Sequence, residues 1–166
     1  MDEAKRLVDL IPRLRRYARA LVGDRSTADD LVQDTLERAW TKLHLYRRGT
    51  DLRAWLFTVM HNVHVNRIRA TRNADPLDED MPELAQRATQ SDGLVVRDLD
   101  RAIACLPADQ RAVLLLVTLE EMSYDEVART LGIPIGTVMS RLSRAREKLR
   151  VLMTGQPVAA KLKVVK

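Results

Sequence analysis

Apolar positions recur at helical spacing along most of this chain. Over residues 5–22, Leu7, Leu10, Ile11, Leu14, Ala18, Leu21 and Val22 form a stripe opposite Arg13, Arg15, Arg16 and Arg19, and Gly23 is placed to end the helix. A capping signal from Ser26 with Asp29, or Thr27 with Asp30, opens a second helix with Leu31, Val32, Leu36, Ala39, Trp40 and Leu43 on its inner face. Asp30, Gln33, Asp34, Glu37 and Arg38 then line its outer face as a polar strip. After the loop 46–51 (YRRGTD), a third helix over 52–72 turns Trp55, Leu56, Val59, Val63 and Ile68 inward and sets Asn62 and Asn66 on one face at i and i+4. The densest apolar run, 112–119, is too short to span a bilayer and reads as a buried helix.

Residues 123–150, SYDEVARTLGIPIGTVMSRLSRAREKLR, carry the sharpest local signals. Ser123 with Glu126 is a capping box, so a helix starts near Tyr124 and buries Val127, Ala128 and Leu131. Gly132 can take the left-handed conformation that ends helices, and Ile133 and Pro134 turn the chain. In the helix that follows, Val138, Leu142 and Ala145 point inward, leaving Met139, Ser140, Arg141, Ser143, Arg144, Arg146, Lys148 and Arg150 outward. A helix, tight turn and arginine-studded helix make a DNA-reading device whose second helix fits a major groove. The plain alternative, a solvated basic face on a helical hairpin, does not account for the cap, the Gly turn and the apolar spacing occurring together.

Charge divides the 166 residues into parts. Residues 1–72 carry net +6, 73–100 net −6 and 101–166 net +5, which suggests two polyanion-binding modules around a linker of opposite sign. Residues 73–93 hold ADPLDEDMPEL and no sustained period, the signature of an unstructured segment. The expected architecture is therefore all-α, with two small helical domains over 1–72 and 101–153, a flexible acidic linker over 73–100 and a basic tail over 154–166. The single cysteine, Cys105, excludes an internal disulfide and points to a reducing, cytoplasmic setting; it reads as a small buried hydrophobe rather than a redox group.

Chemistry narrows the picture further. His61 and His64 stand at i and i+3, but structural zinc needs about four ligands, and no CxxC or HExxH accompanies them, so they read as helix-surface groups with His61 near DNA. Asn62 and Asn66 offer donors and acceptors to a base edge, Arg67, Arg69 and Arg72 make the end of that helix basic, and Tyr46 beside Arg47 and Arg48 is the candidate for base stacking. Trp40 and Trp55 lie on apolar stripes and read as core. No phosphate-binding GxxxxGK, nucleophile triad or isolated carboxylate pair is visible, so neither catalysis nor a cofactor or small-molecule substrate is expected.

These modules together resemble an extracytoplasmic-function (ECF) sigma factor of the bacterial sigma-70 family, the class with only regions 2 and 4. The likeness rests on 29–40 (DDLVQDTLERAW) and 49–69 (GTDLRAWLFTVMHNVHVNRIR) for region 2, and on 106–150 for region 4. It implies that Asp30, Gln33, Asp34, Glu37, Arg38 and Trp40 bind the beta-prime clamp helices of core RNA polymerase, with the beta flap a further contact. It implies that Tyr46, Arg47, Arg48, Arg53, His61, Asn62, Asn66, Arg67 and Arg69 meet the minus-10 promoter DNA, Asn62 matching the base-contacting asparagine. Thr137, Met139, Ser140, Arg141, Ser143, Arg144 and Arg146 fall to the minus-35 element, with Met139 and Ser143 departing from the common pattern. An anti-sigma factor is the further partner implied; membrane insertion is not. Two rivals stand beside this reading. One is a sigma-like decoy that sequesters an anti-sigma factor, although Asn62, Arg141, Arg144 and Arg146 are all present. The other is a conventional helix-turn-helix regulator, which leaves the docking helix unexplained.

Overall fold

The computed structural model describes residues 2–74 and 94–155, and every regular element among them is a helix. Helix α1 runs Asp2–Val22, α2 Arg25–Lys42 and α3 Leu52–Ala74, with a 3-10 turn at Leu43–Leu45. Helices α4 (Leu94–Ala104), α5 (Ala108–Thr118), α6 (Tyr124–Leu131) and α7 (Ile135–Thr154) form the second module. The all-α expectation holds. The linker expected over 73–100 does not keep its bounds, because α3 continues to Ala74 and α4 is already helical from Leu94. The acids Asp75, Asp78, Glu79, Asp80 and Glu83 and the tail from 156 lie outside the described residues.

In the first module, α2 packs on both α1 and α3. Leu7, Leu14, Tyr17, Ala18 and Leu21 of α1 meet Ala28, Leu31, Val32 and Ala39 of α2 and Leu52, Leu56, Phe57 and Met60 of α3 in one core. The rings of Tyr17 and Phe57 meet edge to face at 5.0 Å. Phe57 and Met60 lie outside the single stripe read from the sequence. They are buried because α3 is covered by α6 of the second module as well as by α1 and α2, so it needs more than one apolar face.

Two local expectations are corrected. The N-cap of α2 is Asp24, in extended conformation, and not Ser26 or Thr27; its carboxylate accepts the Thr27 backbone N–H at 2.9 Å and the Thr27 hydroxyl at 2.7 Å. Gly23, at φ +74°, turns the chain so sharply that the next residue already stands at the helix entrance. Trp40 is not core but 64% exposed. The inner face of α2 is filled by Ala28, Leu31, Val32, Thr35 and Ala39, and Trp40, one residue round from Ala39, is carried off that face.

The second module follows its sequence signals closely. Ser123 Oγ accepts the Glu126 N–H at 3.2 Å while Glu126 Oε2 accepts the Ser123 N–H at 2.8 Å, completing the capping box. Gly132 ends α6 at φ +66°, its N–H donating to the Ala128 carbonyl. Val127 and Leu131 of α6 and Val138, Leu142 and Ala145 of α7 close over Ala112, Val113, Leu114, Leu115 and Leu116 of α5. Cys105, at the α4–α5 turn, is exposed rather than buried, because the apolar positions that seal this turn are Ala102 and Leu106 on either side of it.

The helix-turn-helix geometry yields a stability prediction. Ser123→Ala should cost about 1 kcal/mol through the lost cap, and Gly132→Ala about 1–2 kcal/mol through the left-handed backbone it must keep. Urea unfolding would show both as lower midpoints with unchanged slopes.

Candidate nucleic-acid interface

Helix α7 presents its polar face as the sequence requires. Met139, Ser140, Ser143, Arg144 and Arg146 are exposed, Thr137 is half-buried, and Ser140 Oγ donates to the Thr137 carbonyl at 3.1 Å. Because Val138, Leu142 and Ala145 are fixed against α5 and α6, the arginines between them project from a rigid rod rather than from a loop. An open groove of about 430 Å³, bordered by Tyr124, Met139, Ser143 and Arg146, runs along this face. Arg141 differs from its neighbours. It is half-buried, and its Nε lies 3.5 Å from an Asp109 carboxylate oxygen on α5.

On α3, Asn62 and Asn66 are exposed side by side, as are Arg69 and Arg72 towards its end. Arg67 is half-buried; it donates to the Asp30 carbonyl at 3.2 Å and pairs with the Asp34 carboxylate, tying α3 to α2. Arg47 and Arg48 are exposed in the loop, Arg48 pairing with Glu3 at 3.1 Å. Tyr46 is not an open stacking surface in this structure. It is buried, its ring packs on Trp55 with centroids 5.4 Å apart, and its hydroxyl donates to the Thr50 carbonyl at 2.5 Å. That bond closes the loop on itself, which is why an aromatic beside two arginines turns inward here. Trp55, expected as core, is half-buried.

The polar strip of α2 is intact: Asp30, Gln33, Asp34, Glu37, Arg38 and Trp40 are all exposed, with Trp40 giving the strip an apolar end. The carboxylates of this strip repel DNA phosphates, and Trp40 adds to it one large exposed aromatic, a residue type enriched at protein interfaces.

The sequence left unread what joins the modules. Glu120, in the α5–α6 turn, is fully buried. Its carboxylate lies 3.6 Å from Arg13 Nε and 3.5 Å from Arg16 Nη2 on α1, while Arg16 donates to the Leu119 carbonyl at 3.0 Å and Arg53 of α3 to the Glu120 carbonyl at 2.7 Å. Burial raises the Glu120 carboxyl above the usual range, and Arg13, Arg16 and Arg53 oppose that rise. In return Arg111 of α5 donates to the Leu21 carbonyl at 2.6 Å, at the end of α1, and to the carbonyls of Ile103, Ala104 and Leu106. Arg53, expected at DNA, is engaged at this seam. No local pattern signalled it, since Glu120 is 104 and 107 residues from two of its partners.

The histidines also differ from expectation. Both are half-buried rather than on an open surface. Burial pushes His61 down, with Arg141 adding to the effect, and pushes His64 down to about 4, with His61, Arg111 and Arg67 adding.

Two helical modules, the second bearing a helix-turn-helix, follow the plan of the sigma-70 class, and family matches agree region by region. Residues 7–61 match the Sigma2 domain of PhyR and residues 97–149 match Sigma-70, region 4. The ECF RNA polymerase sigma factor EcfG of Rhodopseudomonas palustris (strain TIE-1) is 37% identical over 145 residues, covering 86% of this chain and 80% of that protein. The sigma factor RpoE of Bartonella quintana, solved in complex with the anti-sigma factor NepR, superposes with a TM-score of 0.79 at 35% identity, covering 92% of this chain and 96% of that one. The PhyRSL–NepR complex of Sphingomonas sp. Fr1 gives a TM-score of 0.64 at 26% identity over 90% of this chain and 88% of that one. The chain belongs to the ECF RNA polymerase sigma factors. No described helix is long and apolar enough to cross a membrane.

The histidine pair carries a pH prediction. A folded-state value below the free value of 6.5 means that the unfolded chain takes up protons first on acidification. The contribution is present above about pH 6.5 and is lost as pH falls towards about 4, where His64 titrates in the fold. His64→Gln should therefore flatten the fall in melting temperature across this window. An identical fall in both proteins would count against it.

Proposed function

We propose that this chain binds core RNA polymerase through α2 and directs it to promoters by holding a minus-35 element with α7 and a minus-10 element with α3. The observation that carries the reading is the separation of three exposed faces by chemistry: an acidic and aromatic strip on α2, paired amides on α3, and arginines on a rigid α7. On α7, Arg144 and Arg146 are free to reach guanine edges or phosphates, while Thr137, Met139, Ser140 and Ser143 set the shape and polarity of the surface that meets the groove. Because Met139 and Ser143 are neither cationic nor aromatic, the preferred minus-35 sequence belongs to this chain rather than to the family at large. On α3, Asn62 and Asn66 can hydrogen-bond an unstacked base and Arg69 can hold the backbone beside it. Arg47 and Arg48 add positive charge where the strands would part. Polymerase performs the chemistry; this chain supplies specificity.

An anti-sigma protein is the natural regulator, supported by the RpoE likeness, whose solved form holds NepR. The match of residues 7–61 to the Sigma2 domain of PhyR favours keeping the decoy as a second reading. A decoy has no use for cations on α7 or for paired amides on α3, and both are displayed.

Transcription from a genomic promoter library with purified core polymerase tests the reading. Wild type should select a bipartite promoter. Arg144→Ala should weaken discrimination at one minus-35 pair by about 1–3 kcal/mol, Asn62→Ala should reduce strand opening without loss of core binding, and Trp40→Ala should lower core affinity. No promoter selection by wild type would leave the decoy as the better description.

A further inference from the structure

A carboxylate at the edge of a DNA-facing surface repels phosphates, so it is unfavourable there unless it acts through a neighbouring cation. Asp109, in the first turn of α5, stands at such an edge. It is exposed, and its Oδ2 lies 3.5 Å from Nε of Arg141 on α7. Its Oδ1 accepts the Gln110 backbone N–H at 2.9 Å, so the start of α5 uses one oxygen and leaves the other for Arg141. A purely structural Asp109 would not need that second contact, because an acid in the first turn of a helix is already favoured by the helix dipole.

Arg141 falls within the first two turns of α7, the part of a recognition helix that meets base edges. Helical spacing sets it on one face with Thr137, four residues before it, and Arg144, three residues after. Arg144 stands in solvent, whereas Arg141 is half-buried. An arginine reads guanine by presenting two N–H groups side by side to O6 and N7. The ion pair with Asp109 sits on Nε, which leaves both Nη groups for an end-on pair of this kind. An arginine anchored in this way has less entropy to lose when the guanine is present and less freedom to find other acceptors when it is absent.

We propose that Asp109 is a positioning residue for minus-35 recognition: by pairing with Nε of Arg141 it fixes the guanidinium for a bidentate contact to one guanine in the major groove. The inference rests on the sigma-factor reading and deepens it, since it assigns part of the base discrimination of α7 to a side chain of a different helix. Asp109 touches no base itself; it acts through Arg141.

The test is transcription by holoenzyme, core RNA polymerase with the full chain, from a library in which every base pair of the selected minus-35 element is varied. Arg141→Ala should reduce the preference at one G·C pair by about 5- to 100-fold. Asp109→Asn keeps an acceptor for the Gln110 N–H and should reduce the preference at that same pair by about two- to tenfold. In the Arg141→Ala background, Asp109→Asn should change the preference no further, because the two residues act as a unit. Three results overturn the inference: a preference unchanged by Asp109→Asn, a loss that persists in the Arg141→Ala background, or an even fall across the library in Arg141→Ala, which would make Arg141 a phosphate contact. Should Asp109→Asn lose its helical circular dichroism at the assay temperature, Asp109→Ser is read in its place, since it also keeps an acceptor and removes the charge. Selection of no promoter by wild type would sink the functional reading and this inference with it, whereas normal selection by wild type with any of the three results sinks the inference alone.

Discussion

Helices end in carbonyl groups that have no partner within the helix, and the two modules meet by satisfying each other's. Arg111 of the second module donates to Leu21 at the end of α1, while Arg16 and Arg53 of the first donate to Leu119 and Glu120 just past the end of α5. The exchange is reciprocal, and each guanidinium sits where a helix dipole favours positive charge. Arg111 does more, since it also binds the carbonyls of Ile103, Ala104 and Leu106 and so fixes the α4–α5 turn on which the rest of the second module is built. This one side chain thus ties the α4–α5 turn to the end of α1.

The basic residues are unevenly engaged. Arg144 and Arg146 of α7 remain in solvent, whereas Arg141, which pairs with Asp109 of α5, is half-buried. On α3 the division falls between Asn62 and Asn66, which are exposed, and His61 and His64, which are half-buried and whose proton affinity burial lowers. Helix α3 thus has one exposed face and one packed on the partner module, whereas α7 packs on α4, α5 and α6 of its own module. A helix that must serve both cannot be read from a single apolar stripe, which is why Phe57 and Met60 fell outside the expected core.

How far the sequence could be read depended on the distance over which each interaction acts. The cap, turn and buried positions of residues 123–150 were legible because they are contacts between residues three or four apart. The Asp24 cap was missed by a few residues, since any Ser, Thr or Asp near a helix start offers an equivalent oxygen. Trp40, Tyr46 and Cys105 went to the opposite side from expectation for a different reason. Periodicity states that a residue lies near a stripe, but the width of that stripe depends on what packs against it. Tyr46 turned inward on a bond to Thr50 and a ring contact with Trp55, and neither is implied by having arginines for neighbours.

The sequence by itself determined that the chain is helical, where most helices start and stop, and which residue types stand on the exposed faces of α2, α3 and α7. Those follow from backbone capping and side-chain periodicity, which are local. Only the tertiary structure decided that Glu120 would be buried, that Arg13, Arg16, Arg53 and Arg111 would join the modules, and that His61 and His64 would be half-buried. An isolated charge in a sequence carries no sign of its partner, and burial of a charge is settled only when the remote element that neutralises it arrives.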